Sequence, residues 1–360
     1  MTDNNKTRIV VGLSGGVDSA AAASLLVEQG YDVVGITLKV WPQDCVSRAE
    51  DKCCGPQAVM DARSVADKLD IPYYLVDESK EFQRDVIDYF AAEYKAGRTP
   101  NPCVMCNEKL KFGNLIDRAR KLGAEYVATG HYARLEQRDG RTVLLRGRDA
   151  RKDQTYFLFS LGQEQLAHMM FPLGELQKSE TREVARCVSL KTAEKQESQE
   201  ICFVPDKDYK KFLTTAGLVE EHRGEIVDTR GQVLGHHDGI EFYTIGQRKG
   251  LGISSPTPMY VIELDPENNR VVVGGEELLL RDEFRIDRCN WIAFDHLAKP
   301  IEASAAIRYN HPGTEATVIP GENGQATVKL REPQRAVTPG QACVFYQDDL
   351  VVGGGWIMRN

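Results

Sequence analysis

Three short segments carry residue types and spacings that suit chemistry. Residues 14–19 read SGGVDS directly after the apolar run RIVVGL, Cys103 and Cys106 form a C-x-x-C pair in NPCVMCN, and Cys202 follows in SQEICF. Glycines and hydroxyl residues between a strand and a helix offer backbone amides to phosphate, whereas thiolates are nucleophiles and metal ligands. The segments therefore indicate an anion site and reactive thiols.

The SGGVDS loop differs from the two common nucleotide loops. A Walker loop needs a lysine before its last Ser or Thr, and the dinucleotide fingerprint has another glycine spacing. SGGVDS instead resembles the pyrophosphate loop of the PP-loop ATP pyrophosphatases, which cleave ATP between its α and β phosphates and leave AMP on the substrate. The resemblance implies ATP binding, and we expect Asp18 to support Mg²⁺ on the phosphates. The alternative is a glycine-rich turn that only joins strand to helix.

The cysteines leave several chemistries open. A single C-x-x-C is compatible with zinc, a redox pair or coincidence. Gly97 and Pro102 mark its surroundings as a loop, which favours displayed thiols. Cys202 alone, between Ile201 and Phe203, is more often a buried small residue than a nucleophile. An odd number of cysteines fits no secreted disulfide framework. The others are Cys45, Cys53, Cys54, Cys187, Cys289 and Cys343.

Composition bounds the class of protein. The 360 residues are 42% hydrophobic and 27% charged, which suits two or three globular domains. The net charge of -8 argues against nonspecific coating of nucleic acid but permits RNA recognised by shape and local basic patches. No run approaches the roughly 18 apolar residues of a membrane span, and residues 1–8 are polar. We expect a cytoplasmic protein with no membrane partner.

The elements that would position these segments follow from hydrophobic periodicity. From Arg8 to about Ile201, β-branched runs alternate with amphipathic stretches, which predicts an α/β fold with a parallel sheet. Later residues show short strands split by turns, with a break near residues 278–282. We predict a PP-loop ATP-binding catalytic domain over residues 1–203. A central β-rich domain over 204–279 and a C-terminal β-barrel-like domain over 280–360 follow.

Seven blocks extend the resemblance over nearly the whole chain. They are GLSGGVDS from Gly12, GRTPNPCVMCN from Gly97, ATGHYAR from Ala128, RKDQTYFL from Arg151, ICFV from Ile201, YTIGQRKGLGI from Tyr243 and VTPGQACVFY from Val337. On these blocks the chain resembles the bacterial-type tRNA-specific 2-thiouridylases of the MnmA family. The resemblance implies an ATP-dependent transferase that adenylates the C2 oxygen of the wobble uridine, position 34. Sulfur from a cysteine persulfide then gives 2-thiouridine, with release of AMP and pyrophosphate.

The resemblance also implies roles for single residues. Cys106 would be the nucleophile and Cys202 the persulfide carrier, and a transient disulfide between them needs α-carbons within roughly 7 Å. Cys103 stands where some family members have aspartate, so its role stays open. The implied ATP contacts are Gly12, Leu13, Ser14, Gly15, Gly16, Val17, Asp18, Ser19, Leu38 and Gly130. The implied target-base contacts are Asn101, Pro102 and Cys103, and the tRNA contacts are His131, Lys152, Asp153, Gln154, Arg308, Tyr309 and Gln341.

The implied partners are tRNAs for Lys, Glu and Gln and a persulfide relay protein or cysteine desulfurase, and we expect a monomer. His131 alone would be an ordinary loop histidine. Arg248 and Lys249 lie between glycines, in a predicted turn that either contacts phosphate or is merely exposed.

Three alternatives remain open from the sequence. The same thiolation could run through an iron–sulfur cluster held by Cys103, Cys106 and Cys202. A PP-loop ligase would adenylate a carboxylate and form an amide, but the thiols would then lack a purpose. A noncatalytic tRNA-binding or redox-sensing protein would keep a vestigial ATP loop.

Overall fold

The protein is represented by a computed structural model that describes residues 6–40, 55–187, 201–204, 206 and 208–359. The chain divides into two compact units. Unit 1 comprises Met1–Val86, Cys103–Lys207 and Asp348–Val351, and unit 2 comprises Ile87–Pro102, Asp208–Gln347 and Val352–Asn360. Among the helices of the described residues, none has the length and apolar character needed to cross a membrane.

A parallel sheet organises unit 1. Its strands and those of a neighbouring hairpin are β1 (Arg8–Gly12), β2 (Asp32–Lys39), β3 (Tyr73–Asp77), β4 (Tyr126–Ala128), β5 (Ala133–Arg138), β6 (Arg141–Arg146) and β7 (Met169–Met170). The sheet has the order β3-β2-β1-β4-β7 with parallel neighbours, whereas β5 and β6 form an antiparallel hairpin. The central strand β1 buries Ile9, Val10 and Val11 completely, as expected of a parallel strand covered on both faces.

Helices of 4 to 14 residues accompany the strands. The α-helices are α1 (Val17–Glu28), α2 (Pro56–Leu69), α3 (Ser79–Phe82), α4 (Tyr89–Lys95), α5 (Pro102–Met105), α6 (Leu115–Lys121), α7 (Gln163–Ala167), α8 (Lys178–Cys187) and α9 (Tyr209–Thr215). Gln83–Asp88 and Cys106–Asn114 are π-helical. In unit 1, α1 packs against α2 and α8, and its alanine run, residues 20–23, is completely buried because helices approach it closely.

Unit 2 is β-rich. Its strands are β8 (Gly224–Asp228), β9 (Val233–His237), β10 (Tyr260–Asp265), β11 (Arg270–Gly274), β12 (Leu280–Trp291), β13 (Ile301–Ala306), β14 (Thr314–Pro320), β15 (Ala326–Arg335), β16 (Ala342–Gln347) and β17 (Leu350–Ile357), the last beginning in unit 1. Strands β8 to β11 form one sheet with the order β10-β11-β8-β9. The order β12-β15-β14-β13-β16-β17 returns to β12, so these strands close into a barrel that leaves no open edge.

The predicted fold class is confirmed, while two local predictions are wrong. The expected loop around Cys103 and Cys106 is helical, because Val104 and Leu110 are completely buried and Pro102 suits the first position of a helix. Strand β12 already begins at Leu280, inside the predicted break. The domain boundaries at 203/204 and 279/280 stay predictions.

Candidate functional site

The SGGVDS loop joins the carboxyl end of β1 to the N-terminus of α1. Gly16 is the N-cap and offers no side-chain cap, so the first amides of α1 stay available to an anion. Ser19 Oγ accepts from the Ser14 amide at 3.1 Å and contacts the Gly16 carbonyl oxygen at 3.2 Å. Gly15 has a φ of +70°, and a Cβ there would lie 2.3 Å from the carbonyl oxygen of Ala58. The loop is therefore held in place by its own hydrogen bonds and by close packing at Gly15, and the amides at the start of α1 can bind a phosphate.

Gly130 lies directly against this loop. A Cβ at Gly130 would lie 2.6 Å from the Asp18 carbonyl carbon and 2.7 Å from the Ser19 amide nitrogen. The structure thus brings Gly130, predicted from the family to contact ATP, to the first turn of α1. Leu38 is half-buried in β2, the strand that pairs with β1. The remaining predicted ATP contacts belong to the same segment of chain: Gly12, Leu13, Ser14, Gly15, Gly16 and Val17.

Asp18 accepts hydrogen bonds beside the loop. Its Oδ1 accepts from Lys178 Nζ at 2.6 Å and from the Tyr132 hydroxyl at 3.0 Å. The Tyr132 hydroxyl also lies 2.9 Å from Thr181 Oγ1, which ties the cluster to α8. The sequence predicted a carboxylate at this position but gave no sign of its lysine partner.

The described residues, with gaps at 41–54 and 188–200, contain no group of three or more His, Cys, Asp and Glu side chains that could hold a metal ion. Cys103, Cys106 and Cys202 are all described, so the structure does not gather them as ligands of an iron–sulfur cluster. Mg²⁺ bound through ATP needs only one or two protein carboxylates, and Asp18 fits that requirement.

Cys106 begins the π-helical segment Cys106–Asn114. π-helical turns are rare and frequently mark functional sites. Gln165 stabilises this one, since its Nε2 donates to the carbonyl oxygens of Phe112 at 2.8 Å and Glu108 at 3.3 Å. The Gln165 side chain therefore satisfies backbone carbonyls in the same segment that carries Cys106, the predicted nucleophile.

Cys103, Cys106 and Cys202 are half-buried, and all three belong to unit 1. Phe203, beside Cys202, packs its ring edge-on against Phe82 at 5.7 Å between ring centroids. Phe203 is thus anchored in the core, while Cys202 itself is half-buried. The close approach of the Cys106 and Cys202 α-carbons stays a prediction.

Three other described cysteines have different surroundings. Burial, and then the Asp287 carboxylate, raises the pKa of Cys289 to about 12, and burial raises the pKa of Cys343 as well. Because the thiolate is the reactive form, these two are unreactive at neutral pH. Cys187 is exposed at the end of α8. Cys45, Cys53 and Cys54 lie outside the described residues.

A buried charge cluster anchors the far end of the π-helical segment. Glu78 is 1% exposed and accepts from Asn114 Nδ2 at 2.7 Å. Arg118 donates to Glu78 Oε1 through Nε at 3.2 Å and Nη2 at 3.1 Å. This cluster connects the start of α3 with the Cys106-bearing segment and with α6.

We expect Glu78→Ala to destabilise the protein by about 1–3 kcal/mol, measured by urea denaturation. Removal of one partner of a fully buried pair typically costs about 3–5 kcal/mol, but the Arg118 side chain is 42% exposed and regains water. The control is Glu164→Ala, which removes an exposed partner of Arg120 and should cause no measurable change. Equal destabilisation by both variants would contradict the role of the buried cluster.

His131 is half-buried and packs beside aromatic rings. Its ring centroid lies 5.5 Å from that of Phe112 and 6.1 Å from that of Phe171, and Nδ1 lies 2.8 Å from Thr129 Oγ1. Burial, and then the charge of Lys111, holds the pKa of His131 well below its ordinary 6.5. The imidazole is therefore neutral at physiological pH. Its predicted contact with tRNA would use an uncharged ring.

We expect acidification to destabilise the wild type more than His131→Asn. Because the folded-state pKa is lowered, the unfolded chain takes up the proton first as the pH falls. The stabilising effect is present above the unfolded pKa of about 6.5 and is lost below it. Thermal unfolding at pH 7.5 and 5.5 in both proteins measures the difference. Equal shifts in the two proteins would mean that His131 titrates normally in the fold.

The predicted tRNA contacts 152–154 form a loop held by its own side chains. Asp153 accepts from Arg146 Nη1 at 3.0 Å and from the Thr155 hydroxyl at 2.9 Å. The Gln154 side-chain oxygen accepts from the Tyr132 amide at 3.1 Å. Asp153 and Gln154 therefore fix the loop, and their predicted contact with tRNA stays a prediction, as does that of half-buried Lys152.

Within unit 2, Arg308 and Gln341 line one cavity of about 280 Å³. Gln341 Nε2 donates to the carbonyl oxygens of Thr99 at 3.0 Å and Pro100 at 3.2 Å, so it holds the segment leading to Asn101. Tyr309, beside Arg308, is 40% exposed. The structure thus brings predicted tRNA contacts from distant segments to one place.

The same cavity contains residues that the sequence did not single out. Arg335 lines it and lies over the Tyr260 ring at 4.8 Å. Thr99 also lines it, and its Oγ1 is buried without a hydrogen-bond partner among the described residues. Thr99 lies within the GRTPNPCVMCN block, which was a usable signal, whereas no local pattern marks Arg335. Arg248 and Lys249 are exposed in the predicted turn.

Comparison with protein families first defines the class. A family model described as "tRNA methyl transferase HUP domain" matches residues 7–206. Two more, described as "tRNA methyl transferase PRC-barrel domain" and "Aminomethyltransferase beta-barrel domain", match residues 210–275 and 281–357. The chain thus consists of a HUP domain followed by two β-barrel domains.

Curated relatives then define the family. The tRNA-specific 2-thiouridylase MnmA of Clostridium perfringens is 50% identical over 353 residues, 98% of each chain. The protein of that name from Moorella thermoacetica is 51% identical over 351 residues, 97% of this chain and 98% of the relative. That of Geobacter metallireducens is 50% identical over 362 residues, 99% and 98% of the two chains. The chain belongs to the MnmA family of tRNA-specific 2-thiouridylases, which confirms the resemblance found in the seven blocks.

Proposed function

We propose that this chain is a tRNA-uridine 2-sulfurtransferase. It uses ATP to activate the C2 oxygen of uridine 34 in tRNA and replaces that oxygen with sulfur carried as a persulfide on Cys202. One observation carries the proposal: a pyrophosphate-type loop and two half-buried cysteines, Cys106 and Cys202, belong to the same compact unit. Identity of about 50% with named 2-thiouridylases over nearly the full length supports it.

The first step is adenylation of the base. The uracil C2 oxygen forms a bond to the α-phosphorus of ATP, and the bond to the bridging oxygen of the β-phosphate breaks. Pyrophosphate leaves with the electron pair, and the N3 proton passes to solvent. The amides of the SGGVDS loop would stabilise negative charge on the phosphates. The step converts a very poor leaving group into AMP.

The second step is sulfur transfer. The terminal sulfur of the Cys202 persulfide attacks C2, and AMP leaves with the electron pair of the C2–oxygen bond. The Cys106 thiolate then attacks the Cys202 sulfur, and the sulfur–sulfur bond breaks with its electron pair staying on the sulfur bound to C2. The products are 2-thiouridine and a Cys106–Cys202 disulfide, which a dithiol reductant resets. In a second route, Cys106 first releases sulfide from the persulfide, and sulfide attacks C2.

The remaining assignments belong to the same proposal. The substrates are tRNAs for Lys, Glu and Gln, and a cysteine desulfurase or relay protein loads Cys202. Mg²⁺ on the ATP phosphates would neutralise charge and be held by Asp18. Asn101, Pro102 and Cys103 border the target base. The protein acts as a monomer in the cytoplasm.

The test is nucleoside mass spectrometry of unmodified tRNA after incubation with the protein, ATP, Mg²⁺ and a persulfide donor. We expect 2-thiouridine to form, and its formation to require both ATP and a uridine at position 34 of the tRNA. S-adenosylmethionine replaces the sulfur source in a control, because the matching family model carries a methyltransferase name. A methylated product, or ATP turnover without any dependence on tRNA, would overturn the proposal. The proposal would also be overturned if no thiolation occurred with the persulfide donor and none occurred with an anaerobic enzyme in which an iron–sulfur cluster had been reconstituted.

A further inference from the structure

Lys178 is held beside the phosphate loop through both its side-chain ammonium and its backbone amide. Its side chain is 12% exposed, and Nζ lies 2.6 Å from Asp18 Oδ1. Its backbone amide, at the start of α8, donates to Asp149 Oδ2 at 3.0 Å. The ammonium also lies 5.6 Å from the centroid of the Tyr132 ring. These contacts hold a positive charge beside Asp18, the second residue of α1.

A positive charge at this position changes the electrostatics of the loop. The amides of α1 attract phosphate, but the carboxylate of Asp18 at the same place repels it. The Lys178 ammonium offsets this repulsion. A partly buried ion pair contributes little to stability, because loss of hydration offsets most of the attraction. Its position beside an anion loop therefore indicates a functional role.

We propose that Lys178 is a catalytic residue of the adenylation step, whose ammonium binds the ATP phosphates and stabilises the departing pyrophosphate. This rests on the proposed function. As the uracil oxygen bonds to the α-phosphorus, the electron pair of the breaking bond moves onto pyrophosphate, next to the Lys178 charge. Asp18 is the positioning residue, since it holds the ammonium at the loop before ATP arrives. A lysine suits this task because its compact charge follows the phosphate as it leaves.

The test compares Lys178→Met and Lys178→Arg with Lys68→Gln, which changes an exposed lysine on α2. We expect Lys178→Met to lower kcat for tRNA-dependent formation of AMP and pyrophosphate by about 100-fold or more. Lys178→Arg should recover part of this loss, and the control should match the wild type. Persulfide loading of Cys202 and tRNA affinity should stay unchanged in all three. A folded Lys178→Met that retains wild-type kcat would overturn the proposal.

A second measurement uses the wild type, in case Lys178→Met fails to fold. An amine-acylating reagent modifies accessible lysines, and peptide mass spectrometry follows Lys178 and Lys68 with and without ATP and Mg²⁺. We expect ATP to slow modification of Lys178 and not of Lys68. Equal modification rates of Lys178 with and without saturating ATP would overturn the proposal. Absence of tRNA-dependent AMP formation in the wild type would instead refute the proposed function itself.

Discussion

Replacement of either Cys106 or Cys202 by serine is expected to lower the rate of 2-thiouridine formation by on the order of 10³-fold or more, while ATP cleavage continues. Serine has nearly the shape of cysteine, so the α5 region and the turn at Cys202 should be preserved. A serine oxygen forms neither a persulfide nor a disulfide, so sulfur transfer stops. Pyrophosphate release with tRNA and nucleoside mass spectrometry measure the two half-reactions separately.

Cys187→Ser is the matched control, because Cys187 is an exposed cysteine of the same unit. It should retain both half-reactions. If Cys202→Ser keeps thiolation with a protein persulfide donor, the assignment of Cys202 as carrier is wrong. If it works only with free sulfide, the route through released sulfide is favoured. A single turnover of the wild type without reductant should leave a Cys106–Cys202 disulfide, detectable by peptide mapping.

Gly130→Ala is expected to lower ATP-dependent AMP formation by about 100-fold with little change in persulfide loading of Cys202. The new Cβ would lie 2.6 Å from the Asp18 carbonyl carbon and 2.7 Å from the Ser19 nitrogen. Both neighbours are backbone atoms of α1, which cannot rotate away as a side chain would. The phosphate loop must shift, and a displacement of about 1 Å in a catalytic geometry can cost about 100-fold in rate.

The control for this prediction is Gly162→Ala, because a Cβ at Gly162 meets only Gln165 Oε1, at 3.9 Å. Isothermal titration with ATP and AMP formation with tRNA should distinguish the two variants. Circular dichroism establishes that Gly130→Ala is folded. Wild-type ATP affinity and rate in a folded Gly130→Ala protein would show that the approach of Gly130 to α1 does not control the site.

The sequence by itself determined the features that depend on neighbouring residues. The apolar run of β1, the glycines of the loop and the small residues of α1 are consecutive, so local rules of backbone geometry predict a strand, an anion loop and a helix in order. Repeated apolar runs likewise predicted the parallel sheet, and alternating short strands predicted the β-rich remainder. Long motifs in a fixed order identified the family before any contact was known.

Only the tertiary structure decided which distant side chains meet. Lys178 reaches Asp18 across 160 positions of sequence, and Arg335 joins Thr99 at one cavity, although neither pairing has a local signature. The π-helical turn at Cys106 was also unpredictable, because its carbonyls accept from Gln165, which arrives from a later helix. Local periodicity reports which face of an element is buried, whereas ion pairs and unusual helical registers depend on what packs there. The SGGVDS loop could therefore be predicted from the sequence, but its contact with Lys178 could not.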